Sequence, residues 1–73
     1  MTPDAKAELA KAILRTFRKR EASYSGNGKY GTSFEKAART ECKDRDLVPI
    51  VTALLVSGFS EAMEWAERHS SPA

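Results

Sequence analysis

Cysteine and histidine are scarce in this 73-residue chain, with one of each, Cys42 and His69. One thiol cannot form an internal disulfide, and one cysteine with one histidine cannot build a structural zinc site. The absence of disulfides fits a reducing compartment such as the cytoplasm. The sequence therefore predicts no metal ligands and no disulfide. A cysteine–histidine catalytic pair has no support beyond the presence of the two residues.

Long apolar runs and a strong charge bias are also lacking. The densest apolar run, Leu47–Val56, has ten residues, about half of what spans a bilayer. The opening residues Met1–Asp4 have neither the basic nor the apolar region of a signal peptide. Twelve basic and ten acidic side chains give a net charge of +2, unlike the strongly basic domains dedicated to nucleic acids. We expect one soluble domain, residues 1–73, in the cytoplasm, with no membrane contact.

No catalytic motif is present. The glycines of Gly26-Asn27-Gly28-Lys29-Tyr30-Gly31 have the spacing GxGxxG, but a dinucleotide site needs a strand before it and a helix directly after it. A nucleophile elbow and a P-loop are both missing, and the acidic residues fall on predicted solvent faces. We expect no enzyme, no catalytic residues and no cofactor.

The central feature that is present is the run Leu47–Val56. Asp46 is placed to cap it, Pro49 suits a first helical turn, and Gly58 suits a left-handed position past the end. A buried strand is the rival interpretation, but no second segment could pair with it. A helix apolar on nearly every side predicts a core helix, so Leu54→Ala is expected to cost on the order of 2–5 kcal/mol.

The first helix is predicted over residues 3–22. Thr2 and Pro3 suit its start, and Leu9, Ile13 and Phe17 recur on one buried stripe. Four cationic residues lie on the opposite face: Lys11, Arg15, Arg18 and Lys19. That face is either a solvated charged surface or a docking surface for phosphates or an acidic partner.

A Gly-rich loop is predicted over residues 23–31, since three glycines and an Asn-Gly pair break the helix. It is either a simple interhelical connection or, through Lys29 and Tyr30, a contact for a partner.

Residues 32–69 predict a compact helical unit, followed by a frayed tail at 70–73. Thr32 and Glu35 match a capping box for a helix running to about Lys43. Ser60 is placed to cap the last helix. The fold class is therefore all-α, a small bundle of about four helices. A helix-turn-helix is disfavoured, because its recognition helix would be the apolar run 47–56, with only Thr52 polar in its body.

In size and layout the whole chain resembles the small RNA polymerase-binding transcription regulators of lytic Xanthomonas phages. The features that carry the resemblance are the length, the Ala-rich charged opening Thr2–Leu9, the loop segment Ser25–Lys29 and the helical second half. The resemblance implies binding to the host RNA polymerase near the N-terminus of the β′ subunit. It further implies inhibition of initiation by σ-factor displacement, and antitermination during elongation. It includes no motif that maps residue by residue, so it assigns no binding residue.

The first functional hypothesis is thus a non-enzymatic, protein-binding transcription regulator. Its candidate partner-binding residues are Lys11, Arg15, Arg18, Lys19, Lys29 and Tyr30. The second hypothesis is nucleic-acid binding through phosphate contacts of the same basic face. The oligomeric state stays open, because few large apolar residues are available to cover Leu47–Val56, and a partner or a second copy could cover its outer side.

Overall fold

The computed structural model describes residues 2–25 and 33–70. Within these ranges the chain is all-α, as predicted, with helices α1 (Pro3–Ser25), α2 (Phe34–Glu41), α3 (Leu47–Ser57) and α4 (Phe59–Ser70). α1 packs against each of the other three helices. It is therefore the element on which the bundle is assembled.

α1 begins where the sequence predicts, because the Thr2 hydroxyl accepts a hydrogen bond from the backbone N–H of Ala5 at 3.1 Å. It ends later than predicted, at Ser25 instead of residue 22. No glycine or proline occurs between Pro3 and Gly26, so nothing in the sequence stops the helix earlier. The rest of the predicted Gly-rich loop, residues 26–31, lies outside the described residues.

The start of α2 differs from the predicted capping box. Ser33, in an extended conformation, is the cap, and its side chain accepts from the backbone N–H of Lys36 at 3.3 Å. Thr32, the predicted cap, lies outside the described residues. α2 ends at Glu41 and not at Lys43, because the backbone of Cys42 is extended while its N–H still bonds to the carbonyl of Ala38 at 2.8 Å.

Residues 43–46 form an exposed turn before α3. Asp46 precedes the helix as predicted, but its side chain makes no capping bond. Asp44 forms a local turn instead, its Oδ1 accepting from the backbone N–H of Asp46 at 2.9 Å. Pro49 lies in the first turn, as predicted.

A single residue, Gly58, joins α3 to α4. Its φ of −148° is not left-handed, so the predicted conformation is wrong. Its N–H donates to the carbonyl of Leu54 at 3.0 Å, and its own carbonyl accepts from Ala62 at 2.7 Å. The carbonyl of Gly58 already accepts a backbone hydrogen bond from α4, and the helix begins at Phe59. Ser60 is therefore the second residue of α4 and not its cap. Ser70, predicted to begin the tail, is still helical.

The core of the described chain is built mostly from small residues. Leu9 and Ile13 are buried on α1 as predicted, together with Val51 and Leu55 of α3. Six of the eleven buried apolar residues are alanines, so the helices approach one another closely around few large side chains. α4 packs on α1, with the ring centroids of Phe17 and Phe59 5.4 Å apart, and Leu14 and Met63 line a recess between the two helices.

Candidate functional site

The apolar helix α3 is only half covered by its own chain. Val51 is fully buried and Leu55 is 1% exposed, whereas Ile50 is 44%, Leu54 38% and Val56 68% exposed. The prediction of a core helix covered on nearly every side is therefore wrong for its outer face. With alanines at most facing positions of the core, the other helices bury one side of α3 and leave the opposite side to solvent.

Ile50 and Leu54 of that outer face border a groove of about 750 Å³ between α1, α3 and α4. Its walls are almost entirely apolar, and Glu61 is the single charged residue among those that line it. The apolar lining includes Leu9, Ile13, Ile50, Leu54, Ala62 and Trp65. An apolar concavity with few polar groups is the usual form of a binding site.

Trp65 stands at this groove and packs against His69, with ring centroids 4.7 Å apart. Trp65 packs against the core and also lines the groove, and Ala53 lines it from α3. Neither residue is among those predicted from the sequence to bind a partner. The available signal was the shortage of large apolar residues to cover Leu47–Val56.

The cationic residues of α1 lie on a different surface. Lys11, Arg15 and Arg18 are spaced four and three residues apart, so they form one strip along the helix, opposite Leu9. Lys11 and Arg18 are exposed, and neither makes an ion pair within residues 2–25 and 33–70. Together they supply two positive charges for an acidic partner. We call Lys11, Arg15 and Arg18 the cationic strip.

The other predicted partner-binding residues are less available or lie elsewhere. Half-buried Arg15 donates from Nη2 to Glu8 Oε1 at 3.2 Å, and its Nε is buried without a hydrogen-bond partner in the described chain. Lys19 turns toward α2, with Nζ 3.8 Å from Glu41 Oε1. Lys29 and Tyr30 lie outside the described residues. The structure thus brings together Lys11, Arg15 and Arg18, and directs Lys19 away from them.

Cys42 and His69 have separate surroundings. The Cys42 thiol is buried 3.9 Å from the hydroxyl of Thr16, whereas His69 packs on Trp65. Burial raises the pKa of the Cys42 thiol, and the hydrogen bond with Thr16 and the charge of Arg15 only partly oppose this. A thiol kept protonated is a poor nucleophile, so the surroundings of Cys42 favour a packing role.

The described part of the chain offers neither a metal site nor a membrane-spanning helix. No group of three or more potential metal-ligating side chains is found there. None of its helices combines the length and the apolar character needed to cross a membrane.

Comparison with known proteins gives no match: no protein-family model, no curated protein and no solved structure matches this chain.

Proposed function

We propose that this protein is a non-enzymatic regulator that works by binding another protein, and that its target is RNA polymerase. The observation that carries the binding function is the exposed face of α3 at the groove, with Ile50 and Leu54 open to solvent. Burying such a face against a partner is favourable because each apolar side chain leaves water.

The choice of RNA polymerase is supported by the resemblance in size and layout to small phage regulators. The proposed contact lies near the N-terminus of the β′ subunit, with inhibition of initiation and promotion of antitermination as the outcome. The setting would be the cytoplasm of a host cell. The cationic strip supports association with an acidic surface, since complementary charge accelerates encounter and fixes orientation.

Binding to purified RNA polymerase core and holoenzyme tests this proposal. The wild-type chain is immobilised for biolayer interferometry, and single-round transcription is then measured at a promoter and across an intrinsic terminator. We expect binding, fewer initiated transcripts and more readthrough. No binding at tens of micromolar would overturn the choice of target.

A matched pair of variants examines the strip. Lys11→Glu with Arg18→Glu should weaken binding by about tenfold or more, because both exposed cations of the strip are reversed. Lys36→Glu with Lys43→Glu changes the net charge equally at two exposed positions away from the strip. An equal loss of binding affinity in the two double variants would show that only net charge matters and that the strip is a solvated surface.

Nucleic-acid binding is the second candidate, favoured by the exposed Lys11 and Arg18. With two or three phosphates neutralised, the logarithm of the binding constant should fall with a slope of about −2 to −3 against the logarithm of salt concentration. A gel shift with duplex DNA and single-stranded RNA at low salt tests this. The absence of a complex at tens of micromolar would eliminate the candidate.

A further inference from the structure

We propose that the groove between α1, α3 and α4 receives an amphipathic helix of a partner protein, and that this helix carries a lysine or arginine next to its apolar stripe. The proposal rests on the protein-binding function above and adds the chemistry of the segment that binds. The groove is separate from the cationic strip.

The shape of the groove favours a helix as the occupant. Ile50, Ala53, Leu54 and Ser57 line it from α3 at spacings i, i+3, i+4 and i+7, so they form one continuous face. α3 has 11 residues, which corresponds to a length of about 16 Å, or three helical turns. Ala53 and Ser57 are small, so a helix backbone can approach closely there while larger side chains enter beside Leu54.

The charge of the groove favours a basic segment. Glu61 is exposed and makes no ion pair with any residue of 2–25 or 33–70. From Leu47 to Ser60 the chain has no charged residue at all, so α3 offers nothing that could neutralise this carboxylate. Glu64, one turn further along α4, is also exposed and adds negative charge to that helix. An incoming lysine or arginine would supply the missing counterion at the edge of an apolar contact.

The same charge disfavours a second copy of this chain as the occupant. A symmetric contact through the groove would bring two Glu61 side chains toward one interface while adding only the uncharged face of α3. Like charges placed together oppose association. A partner of different sequence therefore fits the groove better than self-association does.

Trp65 makes the proposal directly measurable, because it is the only tryptophan of the chain and it lines the groove. The probe is a synthetic amphipathic peptide of about 15 residues, with a leucine stripe flanked by lysines, and its matched version has glutamate in place of lysine. We expect the lysine peptide to produce a saturable blue shift of Trp65 emission. The glutamate peptide should bind about tenfold or more weakly.

Two arginine substitutions on α3 locate the contact. Ala53→Arg places a long cation in the groove and should abolish the fluorescence response. Val56→Arg introduces the same side chain at an exposed position that does not line the groove. It borders an adjoining recess beside the paired Glu35 and Arg39, which shares Ala53 and Ser57 with the groove, and it should leave the response unchanged. Glu61→Gln should remove most of the preference for the lysine peptide. Circular dichroism confirms that each variant remains helical.

Three results would overturn the groove proposal: equal binding of the two peptides, equal responses of Ala53→Arg and Val56→Arg, or a wild-type dimer in sedimentation that Ala53→Arg converts to monomer. RNA polymerase binding, measured on the same variants, separates this proposal from the previous one. If the polymerase does not bind but the lysine peptide does, only the choice of target fails. If the polymerase binds wild type and Ala53→Arg equally, the target stands and the groove proposal fails.

Discussion

Leu54 and Leu55 are adjacent in the chain but lie on different sides of α3, with 38% of Leu54 exposed and only 1% of Leu55. Leu55 points into the core with Val51, whereas Leu54 lines the open groove. Both residues are leucines of the same helix, so they form a matched pair for measuring what burial contributes to stability at each site.

Leu55→Ala is expected to lower the free energy of unfolding by about 2–5 kcal/mol, because it leaves a cavity among packed helices. A domain of this size has only about 3–5 kcal/mol in total, so the variant should lose its cooperative thermal transition. Leu54→Ala should cost about 1 kcal/mol, because no closed cavity forms at an exposed position. Circular dichroism melts of both variants check this. Similar losses in the two would contradict the burial pattern of α3.

The two serines at helix starts should respond differently to alanine. Ser33 accepts a hydrogen bond from the backbone of α2, so Ser33→Ala should cost about 1 kcal/mol. Ser60 is exposed inside the first turn of α4 and is not a cap, so Ser60→Ala should change stability by less than about 0.5 kcal/mol. Urea unfolding measures both changes in stability. A larger loss of stability for Ser60→Ala would show that Ser60 caps α4 after all.

Phe59 holds three helices together although 40% of it is exposed. Its ring centroid lies 5.4 Å from that of Phe17 on α1 and 6.1 Å from that of Phe34 on α2. Phe59→Ala should therefore cost about 2 kcal/mol, roughly half the usual loss for a fully buried phenylalanine. Phe59→Leu, the bulk-preserving control, should cost less. A Phe59→Leu variant as stable as the wild type in urea unfolding would show that ring contacts contribute nothing specific, and an unchanged Phe59→Ala variant would contradict the prediction.

The buried thiol of Cys42 should make stability depend on alkaline pH. Burial raises the pKa of this thiol above its ordinary value of 9.0. The unfolded chain then loses the thiol proton at a lower pH than the folded chain does. The contribution of the buried, protonated thiol to the free energy of unfolding is fully present below about pH 9. It is lost as the pH rises through the pKa of the thiol in the folded protein.

Urea unfolding of the wild type and of Cys42→Ala, measured from about pH 7.5 to 10.5, isolates this effect from the titration of lysines. The stability difference between the two proteins should be constant below about pH 9 and should shift against the wild type above it. Parallel profiles throughout would contradict the raised pKa. The folded wild type should also react slowly with thiol reagents at neutral pH.

The helices and the buried stripe of α1 were predictable because polar and apolar residues alternate there with a helical period. Leu9 and Ile13 could be assigned to the core side of α1 because the charged Lys11 and Arg18 lie on the opposite side of the helix. α3 offers no such marker, since apolar residues occur on all its faces, and only packing decides that Val51 and Leu55 turn inward. The cap of α2 was equally ambiguous, because Thr32 and Ser33 are adjacent hydroxyl residues.

The candidate site was predictable only in part. The cationic strip follows from helical spacing within one helix, so the sequence indicates it directly, but the pairing of Arg15 with Glu8 and of Lys19 with Glu41 depends on local geometry. The groove combines Leu9 with Leu54 and Trp65, which are far apart in the chain. Such a surface exists only once the helices have packed.

The packing of the last helix on α1 has a consequence for synthesis. The buried stripe of the first helix is covered by α2, α3 and α4 together, so its cover is complete only after residue 70 has been synthesised. At about 5–20 residues per second, the 45 residues between Ser25 and Ser70 take roughly 2–9 seconds. During that interval the stripe around Leu9 and Ile13 is only partly covered, so the nascent chain exposes apolar surface before the fold is complete.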